Sequence, residues 1–258
     1  MQAITQKINK HRFMFEELVK RDFKQKYKRT MLGMAWSLLS PLLQLLVMSL
    51  IFTQFFGRKM QFYTIYLFAG NLFFSYFREA TTGGMNALMS NASIISKINV
   101  PKYIFLISKN VSAIINFALT LCVFFVFVII ERVPFSWSFL AIVYPILCLT
   151  VMNIGVGMIM SALFVFFRDI QYLYDVFTLL LMYTSAIFYT VENYPLQIQR
   201  LFLLNPVYCC IKYVRVIILE GTLPSLGFHL LLALYAAILL AIGAIVYKKK
   251  NQSFLYYM

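Results

Sequence analysis

Residues 110–130, NVSAIINFALTLCVFFVFVII, run for 21 positions without an Asp, Glu, Lys or Arg. A bilayer core of ~30 Å takes roughly 17–25 apolar residues of helix to cross, so this stretch predicts a membrane span. Working outward, five further charge-free runs have comparable character: residues 30–57, 60–77, 133–167, 176–191 and 221–247. The run 133–167 is too long for one simple span and is expected to open as a loop around Pro134 and Trp137. A shorter run, 201–211, contains Asn205-Pro206, whose proline breaks a helix. It predicts a re-entrant or interfacial segment rather than a crossing. The whole chain has 258 residues, 62% of them hydrophobic and only 12% charged, with mean hydropathy +0.79. Soluble domains have about 25% charged residues, so an ordinary water-soluble globule is excluded. The fold class expected is all-α, a polytopic membrane protein of six transmembrane helices.

The excess of basic residues orients it. Lys and Arg number 23 against 9 Asp and Glu, a net charge of +14. Nine basic residues precede residue 30; Arg78, Lys97, Lys102 and Lys109 follow the second run, Arg168 follows the fourth, and Lys248, Lys249 and Lys250 close the last. With six spans, these 17 fall on one side and the other six on the opposite side. Short cytoplasmic loops carry the Lys and Arg of membrane proteins, so both termini are expected in the cytoplasm, and the charge calls for no nucleic acid. A seventh crossing would put the triple-Lys tail outside. The first run follows a basic arm and has no small-residue cleavage site, so it is expected to stay in the protein as a span of the cytoplasmic membrane.

Outside the spans lie two cytoplasmic ornaments. In the arm, residues 1–29, Phe15, Val19, Phe23 and Tyr27 recur at i, i+4 with Leu18 beside them, which predicts an amphipathic interface helix. Asp22 and Lys26 interrupt its apolar face. It reads either as an anchor on anionic lipid or as a docking surface for a cytoplasmic partner. The segment 86–99, with Ile94 and Ile95 among Asn and Ser, reads as a short helix or a plain loop. The nine acids all sit at or beyond the ends of the charge-free runs, which counts against an ion-coupled carrier, since such proteins keep ionisable groups inside the membrane. None of the ten glycines precedes a lysine, so the phosphate-cradling loop of a P-loop ATPase is missing. His11 and His229 lie far apart without metal-ligand spacing, and Cys122, Cys148, Cys209 and Cys210 read as packing residues. No catalytic residue, metal or cofactor is expected on this chain.

The stretch KRDFKQKYKRTMLGMAW (residues 20–36) with Ser40-Pro41-Leu42 resembles the start of the permease subunits of type-2 ABC exporters for polysaccharides. Phe166-Phe167-Arg168-Asp169-Ile170 and Leu204-Asn205-Pro206-Val207 resemble the two other hallmarks of that family, in order and spacing. The resemblance implies a homodimer bound to two copies of a separate cytoplasmic P-loop ATPase, which holds the ATP and Mg. The cargo it implies is a lipid-linked glycan such as O-antigen, capsule or teichoic acid. It implies that the amphipathic helix (Phe15, Val19, Phe23) and the loop of 86–99 (Ser93, Ile94, Ile95) couple to the ATPase, that 194–219 forms short re-entrant periplasmic gate helices, and that Leu32-Gly33 lies near the cytoplasmic entry. Arg168-Asp169 and Asn205-Pro206 are then structural motifs, the first through an ion pair or helix-end contact. A lipid-pyrophosphate headgroup at that entry needs cationic donors, and Lys26, Lys28 and Arg29 supply them; the alternative is that these three only enforce topology. The 26 Phe, 17 Tyr and 2 Trp fit sugar stacking as well as bilayer interfaces. A drug or lipid exporter of the same superfamily is the nearest alternative, an ion-coupled carrier or channel the more distant one.

Overall fold

The long apolar runs form helices because nothing within them competes with the backbone for its own hydrogen bonds, and lipid offers no other partner. The computed structural model describes residues 13–24, 33–55, 61–97, 100–251 and 253–257, and the described residues fold into helices joined by turns and loops, without a strand. In chain order they form α1 (13–24), α2 (Trp36–Phe55), α3 (Tyr63–Asn86), α4 (Ala92–Ile95), α5 (Tyr103–Ile130), α6 (Val143–Phe166), α7 (Ile170–Thr184), α8 (Leu196–Phe202), α9 (Pro206–Arg215), α10 (Leu226–Lys250) and α11 (Phe254–Tyr257). A 3₁₀ stretch, Trp137–Ile142, leads into α6, where the loop around Pro134 and Trp137 was expected.

Among the described residues, three helices are both long and apolar enough to cross a bilayer: Tyr103–Ile130, Trp137–Phe166 and Leu226–Lys250. A fourth candidate is the pair Leu196–Phe202 and Pro206–Glu220, bent by 108°. The other expected spans fall short for separate reasons. α2 offers a described apolar stretch of Trp36–Ile51, shorter than a span. α3 has the length but carries Arg78, Glu79, Thr81 and Thr82 within it. α7 has 15 residues, a rise of ~22 Å against a ~30 Å core. It also starts six residues before the expected run 176–191 and stops seven before its end, so residues 185–191 form a non-helical strap instead.

The centre of the bundle is α6, which touches α3 and α10 at backbone distance. A Cβ on Gly155 would lie 2.5 Å from the Leu239 carbonyl carbon, and one on Gly243 would lie 2.5 Å from the Gly155 oxygen. Across the other face, a Cβ on Gly84 would sit 2.9 Å from the Gly157 Cα. The small-residue pair Gly157 and Ser161 in the fourth run thus packs within this chain, Gly157 against α3. Between helices in lipid, such close approach supplies the dispersion contact that holds them.

Two apolar clusters mark the two ends. One joins α3, α5, α6 and α9 with Ala186, Ile187 and Val191 of the strap. The other joins Leu18 of α1, Ile95 of α4, Phe105 of α5, Val165 of α6, Tyr247 of α10 and Phe254 of α11. Both described ends of the chain therefore lie at one end of the bundle. Lys102 fixes the tail there, donating to the Asn251 carbonyl with its ammonium 5.5 Å from the Phe254 ring; burial pushes the Lys102 ammonium pKa down.

The backbone contacts make a graded prediction. Gly155→Ala and Gly243→Ala should each lower stability by ~1–3 kcal/mol, the cost of overpacking a tight contact. Gly227→Ala, where a Cβ meets nothing within 4 Å, should leave the detergent-solubilised melting temperature unchanged or slightly higher. Equal melting of all three variants would show that α6 is not held at backbone contact.

Candidate functional site

A polar groove opens along this apolar bundle where α2, α3 and α5 face one another. α2 contributes Ser37, Ser40 and Gln44, spaced three to four residues apart and so on one face, with Trp36 at the mouth. From α3 come Asn71, Ser75, Glu79 and Thr82, again one helical stripe, with Tyr76 beside it. α5 adds Asn116 and Thr120. The cavity they enclose measures about 730 Å³, within the size of pockets that hold organic ligands. Asn116 closes its floor by donating to Glu79 Oε1 at 2.6 Å. Glu79 lies inside a helix: the charge-free run ends at Phe77, but the helix continues to Asn86 with a polar side that faces the groove.

A second cavity of about 690 Å³ lies between α1, α3 and α5 and shares Glu79, Gly83 and Asn116 with the first. α1 is held over it by charge. Asp22 accepts from Arg21 Nη2 at 2.9 Å and pairs with Lys109 Nζ at 3.0 Å, and the same Arg21 nitrogen donates to Asn91 Oδ1 at 2.7 Å. Asp22, read from sequence as an interruption of the apolar face, is instead the anchor of α1 to α5. Phe15, Val19 and Phe23 are half-buried beside the buried Leu18. Ser93 is exposed and Ile94 half-buried, but Ile95, expected on the docking face, is turned inward, where it packs in the cluster of Leu18 and Phe105. Lys26, Lys28, Arg29 and Leu32 lie outside the described residues. Gly33 opens the turn into α2 at φ +51°, a left-handed conformation in which a side chain is strained.

At the opposite end the strap is held by side chains. The carbonyls of Ala186 and Ile187 accept from Arg215 at 2.8 and 3.0 Å, that of Phe188 from the Tyr63 hydroxyl at 2.7 Å, and that of Tyr189 from the Tyr66 hydroxyl at 2.6 Å. Arg215 is 7% exposed, donates twice more to the Tyr66 carbonyl, and lies 3.4 Å from the centre of the Tyr66 ring. Gly70 makes the room, since a Cβ there would stand 2.6 Å from the guanidinium. Sequence reasoning missed Arg215, counting it among outside loop charges; its position at the end of a helix with Val207, Cys210, Ile211 and Val214 on its buried faces was the available signal.

Asn205 and Pro206 carry the turn between α8 and α9. Asn205 Oδ1 accepts from the amides of Val207 and Tyr208, the bonds of a helix N-cap, and Pro206 fills the first helical position, which has no intrahelical acceptor for an amide. Its Nδ2 donates to Ser185 Oγ and the Thr184 carbonyl, tying α9 to the end of α7. Of the ion pair or helix-end contact expected for Arg168 and Asp169, the geometry has the helix-end contact. Both side chains are exposed, and neither makes an ion pair among the described residues; the turn is held through the Asp169 carbonyl, which accepts from Tyr172 and Leu173, with the carboxylate at the positive end of α7. His229 is a bridge, its Nε2 2.6 Å from the Tyr213 hydroxyl and its Nδ1 3.0 Å from the Ser225 carbonyl. Among the described residues no three His, Cys, Asp or Glu side chains gather to hold a metal.

Comparison with known proteins places this geometry. The family profile described as ABC-2 type transporter matches residues 14–219. An O-antigen export system permease protein, RfbA, of Klebsiella pneumoniae is 26% identical over 247 residues, covering 94% of this chain and 95% of its own length. The RfbA of Myxococcus xanthus is 23% identical, with 98% of both chains covered. A polysialic acid transport protein, KpsM, of Escherichia coli is 23% identical over 93% of this chain and 94% of its own.

The strap predicts its own dependence on Arg215. Arg215→Met removes donors from the carbonyls of Tyr66, Ala186 and Ile187 and leaves that of Ile187 unpaired, at ~1–3 kcal/mol for a buried acceptor. Cys209 and Cys210, fully buried in α9, should then react with a maleimide in the detergent-solubilised protein far faster than in the parent. Asn205→Ala, at ~1 kcal/mol for a lost cap, should have a smaller effect in the same direction. Parental protection of both cysteines in Arg215→Met would remove the guanidinium from this role.

Proposed function

The chain belongs to the ABC-2 type transporter family, and from that premise we propose that it is the membrane subunit of an exporter that moves a lipid-linked polysaccharide out of the cytoplasm. The observation that carries the cargo is the groove of α2, α3 and α5. Its hydroxyls and amides offer both donors and acceptors, and Trp36, Tyr76 and Phe117 present aromatic faces among them. A hydroxyl-rich chain with apolar ring faces matches that lining; an ion or a purely apolar drug leaves most of it unpaired.

Hydrolysis belongs to a separate P-loop ATPase, two copies of which serve a homodimer of this chain. The docking surface is the exposed side of α1 with Phe15, Val19 and Phe23 at its edges, together with Ser93 and Ile94 of α4. Through Arg21–Asn91 and Asp22–Lys109, a push on α1 reaches the turn after α3 and the body of α5. Six crossings by α2, α3, α5, α6, α7 with its strap, and α10 fit the meeting of α1 and α11 at one end, which requires an even number. The bent pair α8 and α9 is then re-entrant from the periplasmic side, and the basic bias puts both termini in the cytoplasm. Lys26, Lys28 and Arg29, beside Leu32-Gly33, hold the lipid-pyrophosphate headgroup at the cytoplasmic entry. The exporter reading is supported by the family and by the lining of the groove.

Cells lacking the chain should accumulate lipid-linked glycan inside. Export should return only when the chain is supplied with an ATPase whose phosphate loop is intact, while the isolated chain hydrolyses no ATP. Cysteine placed at Glu192 should be labelled by an impermeant reagent and cysteine placed at Ser93 should not. Normal surface glycan in cells without the chain would overturn the reading.

A further inference from the structure

We propose that the groove between α2, α3 and α5 contains, at its strap end, a subsite for a neutral N-acetylated sugar whose acetamido group pairs with the Asn71 amide. The proposal rests on the glycan-exporter reading and names a substituent of the cargo that the groove selects.

Asn71 differs from its polar neighbours in the lining. Glu79 accepts from Asn116 at 2.6 Å, the Tyr76 hydroxyl lies 2.9 Å from that of Thr150, and Thr120 donates to the Asn116 carbonyl at 3.0 Å. Asn71 lines the same cavity, is 9% exposed, and makes no hydrogen bond among the described residues. Buried amides are ordinarily satisfied. The surface that Asn71 keeps is the part that lines the cavity, so a ligand in the groove reaches it. Its carboxamide then has two N–H donors and a carbonyl acceptor to offer.

Position and neighbours select the ligand class. Asn71 adjoins Gly70, where a Cβ would stand 2.6 Å from the Arg215 guanidinium, so it lies at the strap end of α3. The charged side chains of the groove, Arg78 and Glu79, are about 10–12 Å farther along the helix. A lone amide at that distance does not offset the desolvation of a carboxylate or phosphate, so a neutral group is favoured. Phe68 and Leu72 flank Asn71 on α3 and Phe117 stands on α5, all three nearly covered and without a side-chain hydrogen bond to give. An acetamido group matches this setting. Its N–H and carbonyl pair with the two ends of the Asn71 amide, and its methyl lies among apolar side chains. A hydroxyl in the same place meets one end only, and a site built for two hydrogen bonds discriminates against a group that makes one. Ser75, one turn along and exposed, is placed for a hydroxyl of the same ring.

The test uses the full chain, with the ATPase that restores export, in lipid nanodiscs. Ser75→Cys is alkylated with N-ethylmaleimide in a Cys122→Ala background, because Cys122 is the exposed native cysteine. The probes are N,N′-diacetylchitobiose and cellobiose, which differ only in acetamido groups where cellobiose has hydroxyls. Diacetylchitobiose should slow alkylation saturably, about threefold at twice its half-maximal concentration, while cellobiose at that concentration does not. Asn71→Leu, of similar volume, should abolish most of that protection. It should also melt no lower than the parent, because the amide it removes has no partner to lose. Equal protection by the two probes or none by diacetylchitobiose would overturn the subsite, and both are read without the Asn71 variant. Full protection in Asn71→Leu, or a lower melting temperature, would equally overturn it, the latter by showing a structural amide. The exporter reading is separable: export that depends on the chain with no protection by either probe defeats the subsite alone, whereas normal surface glycan in cells lacking the chain defeats the exporter reading whatever the probes do.

Discussion

Everything in this bundle hangs on the backbone contact of α6 with α3 and α10. Lipid tails are as apolar as leucine, so helices gain little by burying apolar faces against each other and must instead approach closely enough for dispersion to act. Gly155, Gly157, Gly84 and Gly243 permit that approach. It makes α3 a fixed wall of the groove, and α5 packs on α3 through the edge-on rings of Phe68 with Phe124 and Phe73 with Phe117. The third wall differs. Of the described side chains on α2, only Ser37 and Leu45 are buried. Two walls of the groove are thus closely packed and one is lightly held.

Buried charge is used at both ends, with opposite solutions. Asp22 is neutralised by cations from its own helix and from α5. Arg215 has no carboxylate within salt-bridge distance among the described residues and is solvated by carbonyl oxygens and the face of Tyr66. Both tie down elements that apolar packing alone would leave loose: a short amphipathic helix in one case, a strap without secondary structure in the other. The strap's carbonyls find no helical partner, so unless side chains satisfied them they would be costly at a depth where water is scarce.

How far the sequence could be read follows from the same physics. α5, α6 and α10 were legible because a span hydrophobic on all sides leaves an unbroken run, and their termini moved only by flanking turns. Asn205-Pro206 was legible as a break, since a cap and a proline act locally. α3 and α7 were misjudged in extent because charge marks the end of a lipid-facing run, whereas a helix ends where its backbone loses partners. Asp22, Arg215 and Glu79 were assigned to surfaces for one reason: a single charged residue in sequence does not reveal whether a distant position will meet it. Lys109 meets Asp22, the Tyr66 carbonyl meets Arg215 and Asn116 meets Glu79, and none of these carries a pattern that announces a partner.

The polarity of α3 and the existence of the groove imply one another. An acid inside a packed bundle is tolerated where it faces a cavity or a partner, and Glu79 has both, the amide of Asn116 and the shared wall of the two cavities. Replace the groove by packed side chains and α3 would have to become as apolar as α5, removing the stripe Asn71, Ser75, Glu79 and Thr82. Keep the stripe without the groove and four polar groups would be buried among apolar side chains, at several kcal/mol each for those left unpaired. The helix that failed the simple hydropathy test is therefore the one that lines both cavities, and its polar stripe is the wall they share.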